Sequence, residues 1–490
     1  MRATMLTQIE IDGFKTFKDF KVELAPFQVI VGPNGSGKSN LFDALQLLSR
    51  LADTDLRTAF QDMRGDADEL FTLLPNGKRV DKMFLAVEML LDKNVKDSWG
   101  RQAEVKCRRL RYELHIEQNI RDNKQVYIVY ELLEPILPDE DNWSKRYGLI
   151  FSYENMPQFI ADGQAFITTM HVISQHSIRH EEGKFINTEP VETDKIYLHS
   201  EEHGGSEAFP GEAERSVLSS VSTISSLHAF AARQELLSLK LLHLDPEELR
   251  QPSSVKAPSF LTVSGSNLPT MLARMKDEDE FALADVSRDL ANLVPDVTGV
   301  ELKNDDVLNR YIVSVTYQDG RAFPSSVLSD GTLRLLALAV LKNDLQFRGI
   351  LCFEEPENGI HPSYLKDIAH LLRSMATDLN DPEQVDEPLR QVLVTTHSPT
   401  FISQPDAIDV VLFTYTVTRV EPQATGIPPM RITQIVPVLT SGSPGTQIDT
   451  DKGKDGYTID RVKELLTNES LDNALELLDK SRTMLNERSQ

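Results

Sequence analysis

Cysteine is nearly absent from this chain. Cys107 and Cys352 are the only two in 490 residues, which excludes a disulfide framework and suits a reducing cytoplasm. Long apolar runs are also missing. No stretch approaches the ~18 consecutive apolar residues of a membrane span. The opening "MRATMLTQIEIDGFKTF" has no apolar h-region, so no signal peptide is expected. Positive charge is scarce, with 51 Lys and Arg against 75 Asp and Glu and a net charge of −24. A chain this acidic does not coat nucleic acid nonspecifically, because phosphate binding needs cations. No internal repeat and no sustained heptad pattern occur, which excludes a solenoid and a long coiled coil.

What is present is a globular composition, 40% hydrophobic and 26% charged. The length gives room for about two to four domains, and the core needs no staple. A soluble, cytoplasmic protein is expected. Residues 5–31 alternate and then turn apolar ("LTQIEIDGFKTF", "FQVIV"), which predicts two or three strands with the last one buried. "GPNGSGKS" follows, then "NLFDALQLLSRLA" with Leu41, Ala44, Leu45 and Leu48 at helical spacing. Strand-like segments recur near 83–91, 105–116 and 126–133. Residues 136–300 read as a mostly helical lid, with loops at "LPDEDN" and "HSEEHGGSEAFPGE". In "SVLSSVSTISSLHAF", Val217, Val221, Ile224 and Leu227 predict a helix with a serine face, and "SNLPTMLARMKDEDEFALADVSRDLANLV" predicts one or two more helices. Strands return after 301 ("VELKND", "YIVSVTY", "GILCF", "QVLVTTH"), with a helix at "PSYLKDIAHLLRSMA". The tail from 416 carries a strand, a polar loop and two amphipathic helices.

The chemistry is concentrated in four short stretches. In "GPNGSGKS" the glycines let backbone N–H groups turn inward around phosphates. Lys38 reaches the β- and γ-phosphates, and the Ser39 hydroxyl ligates Mg²⁺. The candidate nucleotide-binding residues are Gly32, Pro33, Asn34, Gly35, Ser36, Gly37, Lys38, Ser39 and Asn40, helped by the helix dipole behind them. "GILCFEEPENGIHP" ends a buried strand in two acids. Glu354 is the candidate to hold Mg²⁺, directly or through water, and Glu355 to orient or deprotonate the attacking water. "VLVTTHSP" brings His397 to another strand end, where a γ-phosphate contact is expected. "VLSDGTLRLLALAVL" opens a second helix with Ser329, an acid and Gly331, a small-residue anion site far from the first.

Together these motifs resemble an ABC-type AAA ATPase of the RecF, SMC and OLD-like branch, in particular the stand-alone ATPases of bacterial antiphage systems. The resemblance covers about 1–135 and 301–415, with Walker A at 32–39, the signature "LSDGT" at 328–332, Walker B "ILCFEE" at 350–355, a D-loop region "PENGIHP" at 356–362 and the switch histidine His397. It implies an α/β fold, a two-lobed ABC-type P-loop ATPase head with an inserted helical lid and a short C-terminal α/β tail. The expected divisions are 1–135 (N-terminal lobe), 136–300 (lid), 301–415 (C-terminal lobe) and 416–490 (tail). It implies ATP and Mg²⁺ as cofactors and a homodimer or higher homo-oligomer, in which Ser329 and Gly331 cap the γ-phosphate held by the partner subunit. It also places a basic residue near the nucleotide, for which Lys15 in "GFKTF" is the match. Departures are Glu354 where Asp is usual and Asp330 where glycine is common. No Q-loop is placed, and Gln61 and Gln102 are the candidates.

Two further motifs fail on their surroundings. "HSEEH" (199–203) fits H-x-x-E-H, but a Gly-Gly pair follows where zinc needs a helix. "DTDKGKDG" (449–456) lacks the glycine a calcium loop needs at its sixth position. Three roles follow for the ATPase. The first is a sensor or scaffold controlling a separate effector, a nuclease or toxin. The 93 residues after His397 (490 minus 397) are short for a second catalytic domain. The second is a RecF-like DNA-binding or repair ATPase, for which "KCRRLR" (Lys106, Arg108, Arg109, Arg111) is the strong basic candidate, although it reads first as a strand with solvated cations. The third, a transporter subunit, does not suit "PENGIHP" or the large lid, and no membrane partner is expected.

Overall fold

The computed structural model describes residues 5–118, 125–151, 160, 165–174, 177–179, 185–187, 191–199, 206–209, 212–258, 260–381, 383–384, 388–419, 430–439 and 457–467. The architecture is α/β. One sheet has seven strands in the order Lys240–Leu242, Gly349–Glu354, Arg390–Thr396, Phe27–Val31, Val411–Arg419, Met430–Leu439 and Tyr457–Thr458. The first five run parallel. That is why "FQVIV", "GILCF" and "QVLVTT" are apolar without alternation: both faces of a parallel sheet are covered. The helix Lys38–Leu51 buries Leu41, Ala44, Leu45 and Leu48 against one face. The helix Asp330–Asn343 buries its apolar run in a second core with Leu365–Met375.

The second sheet has eight strands and is antiparallel where Met5–Asp12, Phe20–Glu23, Lys82–Leu90, Arg109–Gln118 and Val126–Pro135 pair. It continues through Ile167–Ser174, Val191–Leu198 and Ser206–Ala208. The described residues of 136–300, expected as a mostly helical lid, carry strands as well as helices. Those three strands extend the large sheet, and Lys240–Leu242 is the edge of the parallel sheet. Helices do occur, at Leu227–Leu237, Leu268–Glu278 and Ala282–Leu293. They pack into the two cores rather than standing off as a lid.

The serine-rich helix also divides. Val217–Ser220 is one turn, the chain extends at Val221 and Thr223, and the longer helix begins at Leu227. The hydroxyls explain the break: Ser219 Oγ donates to Ser216 O (2.7 Å) and Ser220 Oγ to Val217 O (2.6 Å), competing with helix propagation. The first turn is held instead by Glu131, which accepts from Val217 N (2.7 Å), Leu218 N (2.9 Å) and the Tyr112 hydroxyl (3.1 Å).

Burial pushes the Glu131 carboxyl up from 4.5 to about 7, against those three donors. The fold therefore favours the protonated form. Its contribution is present below the ordinary carboxylate range and is lost as pH rises through about 7, on the order of 3 kcal/mol at most. Thermal unfolding from about pH 5 to about pH 8 should show Glu131→Gln with a flatter loss of Tm than the wild type. Parallel slopes would remove Glu131 from the pH response.

The basic stretch is also corrected. Arg109 is fully buried, donating to Asp141 (2.9 Å), Thr7 Oγ1 (2.7 Å) and Glu88 (3.2 Å). Arg111 forks onto both oxygens of Glu10 (3.0 and 3.1 Å) and reaches Glu113 (3.0 Å). Arg108 is buried and donates to Leu91 O (2.8 Å), and Lys106 pairs with Glu104 (3.0 Å). Arg109 and Arg111 are thus paired with acids, Arg108 is buried on a carbonyl, and Lys106 alone of the four is exposed, so the stretch is neither a solvated cationic face nor a phosphate-binding groove.

Of the tail, the described part is the end of the strand Val411–Arg419, the strand Met430–Leu439, the strand Tyr457–Thr458 and helical residues 459–467. "DTDKGKDG", most of "HSEEH" and the last expected helix lie outside the described residues. Among the described residues, no helix is long and apolar enough to cross a membrane.

Candidate functional site

Strand register brings the sequence candidates together. Glu354 is paired with Thr395, Thr395 with Ile30, and Thr396 with Val31. The ends of three parallel strands therefore carry Glu354 and Glu355, His397, and the loop starting at Gly32 to one edge. This is the carboxyl edge at which open parallel sheets bind ligands.

The loop from Gly32 to Gly37 is held by two threonines from the far side of the sheet. Ser36 Oγ meets Thr414 Oγ1 at 2.7 Å, and Thr433 Oγ1 donates to Ser36 O at 3.0 Å. A β-carbon on Gly32 would lie 2.1 Å from Thr414 Oγ1, and one on Gly37 2.2 Å from Thr433 Oγ1. Gly37 also caps the helix with φ 100°, a left-handed conformation. Gly37→Ala should therefore destabilise the protein by about 1–3 kcal/mol in denaturant unfolding; an unchanged midpoint would show that the loop yields. Lys38 Nζ folds back on the loop, donating to Gly32 O (2.5 Å) and Pro33 O (2.9 Å).

A cavity of about 210 Å³ lies in front of this loop, lined by Lys38, Ser39, His243, Arg334, Glu354, Glu355, Asn358 and Thr395. The two glutamates diverge within it. Glu354 ends the strand and is nine-tenths buried; its Oε2 meets Arg64 Nη2 at 3.2 Å and His243 Nδ1 at 3.7 Å. Its Oε1 is buried without a hydrogen-bond partner. That unpartnered acceptor, in a cavity that Ser39 also lines, fits a divalent cation. Glu355 turns away through a left-handed residue (φ 47°). The His397 imidazole donates from Nδ1 to Glu355 Oε1 (3.0 Å), and Asn358 Nδ2 to Oε2 (2.6 Å). The His397 bond is the main reason the Glu355 carboxyl falls to about 2, and the same bond raises the imidazole.

Other candidates stand apart. Lys15 Nζ is engaged by Asp43 at 2.6 Å, and Asn40 donates to Thr16 Oγ1 at 2.9 Å. Neither is a wall of the cavity. Ser329 caps the helix Asp330–Asn343, accepting from Thr332 N at 3.2 Å. Gly331 packs on the D-loop region, where a β-carbon would sit 3.0 Å from Gly359 O. Ser329 is exposed, and it and Gly331 lie outside the cavity walls. Asp330, the departure from the usual glycine, is drawn aside by an ion pair with Arg250.

Sequence reasoning did not single out Arg334, His243, Asn358 or Thr395, which line the cavity, or Arg64, which pairs with Glu354 beside it. Arg334 enters one turn along the signature helix, and burial lowers its pKa while Glu357 and Glu355 draw it up. Arg64 bridges Glu354 and Asp43. His243 follows a short apolar strand, "KLL", in the same way that His397 follows "QVLVTT", and that parallel was the available signal. Gln61 lies in the helix Leu56–Gln61 and Gln102 in the strand Gln102–Glu104; neither lines the cavity.

Known proteins share parts of this chain. A family profile described as "AAA domain, putative AbiEii toxin, Type IV TA system" matches residues 27–403. The chromosome partition protein Smc of Bordetella petrii is 32% identical over 110 residues, 21% of this chain and 9% of that protein. The Smc of Methanocaldococcus jannaschii is 36% identical over 77 residues, 16% of this chain and 6% of that protein. The chain thus matches under a tenth of the length of these relatives. Among solved structures, the SMC head domain from Thermotoga maritima aligns over 90% of this chain and all of that one, at 13% identity and a TM-score of 0.38. The Smc head domain with a coiled coil and joint from Pyrococcus yayanosii aligns over 95% of this chain and all of that one, at 10% identity and a TM-score of 0.44.

Proposed function

The chain belongs to this AAA-domain family, and from that premise we propose that it is a Mg²⁺-dependent ATP hydrolase whose ATP-bound form is a head-to-head dimer controlling a separate effector protein in antiphage defence. The observation that carries the hydrolase reading is the convergence of Lys38, Ser39, Glu354 and Glu355 on one cavity, with His397 bonded to Glu355.

Each residue has a task in that reading. The N–H groups of the loop cradle the phosphates, and Lys38 exchanges the carbonyls of Gly32 and Pro33 for phosphate oxygens. Ser39 Oγ and Glu354 hold Mg²⁺, which when bound neutralises charge on the phosphate oxygens. Glu355 stays ionised at any working pH, so its carboxylate is a weak proton acceptor and acts chiefly by orienting the attacking water. His397 holds Glu355 in place and faces the γ-phosphate. Exposed Ser329 and half-buried Gly331, both outside the cavity walls of their own chain, cap the nucleotide of a second copy.

A protein effector, a nuclease or toxin, is supported by the chain's net charge of −24 and by the mention of a toxin–antitoxin system in the family description. DNA as the main partner is disfavoured because Arg108, Arg109 and Arg111 are already occupied. The test is capture of tagged Glu355→Gln from its native host in Mg-ATP. A stoichiometric second protein is expected. Bound DNA without a protein partner would replace this reading with the DNA-repair one.

A further inference from the structure

The walls around the metal position hold a donor that the motifs do not supply. The edge strand Lys240–Leu242 runs parallel to the Walker B strand with Leu242 opposite Phe353, so the next residues, His243 and Glu354, stand side by side at the strand ends. His243 Nδ1 lies 3.7 Å from Glu354 Oε2, and both residues line the cavity with Ser39. Neighbouring donors around one divalent ion are separated by about 3 Å, so a small side-chain rotation places both on the same ion. The unpartnered Glu354 Oε1 points independently to a cation there. The competing cation, Arg64, has a half-exposed side chain and room to withdraw.

We infer that the divalent-ion position of this protein is a mixed nitrogen–oxygen site, in which His243 supplies an imidazole nitrogen beside Ser39 Oγ and Glu354, and that it therefore favours Mn²⁺ over Mg²⁺ relative to an all-oxygen site. The inference rests on the nucleotide-site reading above. Mg²⁺ is a hard ion that takes oxygen ligands, whereas Mn²⁺ accepts carboxylate and water and tolerates imidazole better. Among the described residues, no three His, Cys, Asp or Glu side chains converge as a self-sufficient metal site. The remaining ligands must then come from nucleotide phosphates and water, so tight binding requires nucleotide.

The test uses the full chain with Mn²⁺ and ADP. Electron paramagnetic resonance should show ADP-dependent loss of free Mn²⁺, and electron spin-echo modulation should show a nitrogen-14 coupling to the bound ion. The coupling should vanish in His243→Gln and persist in His397→Gln. The Mn²⁺ to Mg²⁺ affinity ratio should fall about tenfold in His243→Gln. Mn²⁺·ADP bound without nitrogen coupling, or with coupling that survives His243→Gln, overturns the inference while leaving the nucleotide site intact. Mn²⁺ binding that ignores ADP overturns both.

Discussion

Glu355→Gln should bind ATP normally, hydrolyse it on the order of 10²–10³-fold more slowly, and accumulate as the ATP-bound dimer. The amide keeps the shape of the carboxylate but not its charge. In the wild type both carboxylate oxygens accept, one from His397 Nδ1 and one from Asn358 Nδ2. An amide can accept at only one of those positions, so either Asn358 faces a second donor or the His397 imidazole must change tautomer and accept at Nδ1. The water-orienting geometry is lost, while Lys38, Ser39 and the loop that bind nucleotide are untouched. Single-turnover hydrolysis and light scattering on the same sample read both halves of the expectation. Normal turnover would remove Glu355 from the water-orienting role. Loss of ATP binding would show that the Glu355–His397 pair holds the site together rather than acting on water.

The parts of the site that could be read from sequence share a property: their roles are local. Gly37 needs its left-handed turn whatever the rest of the chain does. The uninterrupted apolar run before Glu354 fits only a strand covered on both faces. Once Glu354, Thr395 and Ile30 are in register, the convergence follows. What could not be read depends on partners distant in sequence. Arg111 looked like a solvated cation because its partner Glu10 is 101 residues away. The ion pair of Lys15 with Asp43 on the Walker A helix was likewise not visible in the sequence. His243 had no neighbour to mark it until the edge strand was placed beside Walker B. The strands within 136–300 were not legible for a related reason. Short strands such as Lys240–Leu242 carry too few residues to show a period, and the serine hydroxyls that break the helix after Ser220 act through backbone bonds that a hydrophobic pattern does not display.

Ser329→Arg should abolish hydrolysis while leaving ATP binding to the single chain intact, because the exposed cap lies outside its own cavity. The substitution removes the hydroxyl that accepts from Thr332 N, a cap worth about 1 kcal/mol, and fills the space in front of the helix N-terminus. A simple loss of activity would not separate action within one chain from action on a partner. Mixing does. Lys38→Ala disables the phosphate loop of its own chain, and each variant alone should be inactive. In a two-fold head-to-head dimer, a mixed pair has one site in which both damaged elements meet and one in which the intact loop faces the intact Ser329. An equal mixture should therefore recover about a quarter of wild-type turnover per chain, since half of the dimers are mixed and each carries one intact site. If Ser329 serves the nucleotide of its own chain, every chain in the mixture carries a defect and no activity returns. Recovery that disappears when the chains are diluted below their dimerisation range would tie the exposed signature helix to catalysis in the partner.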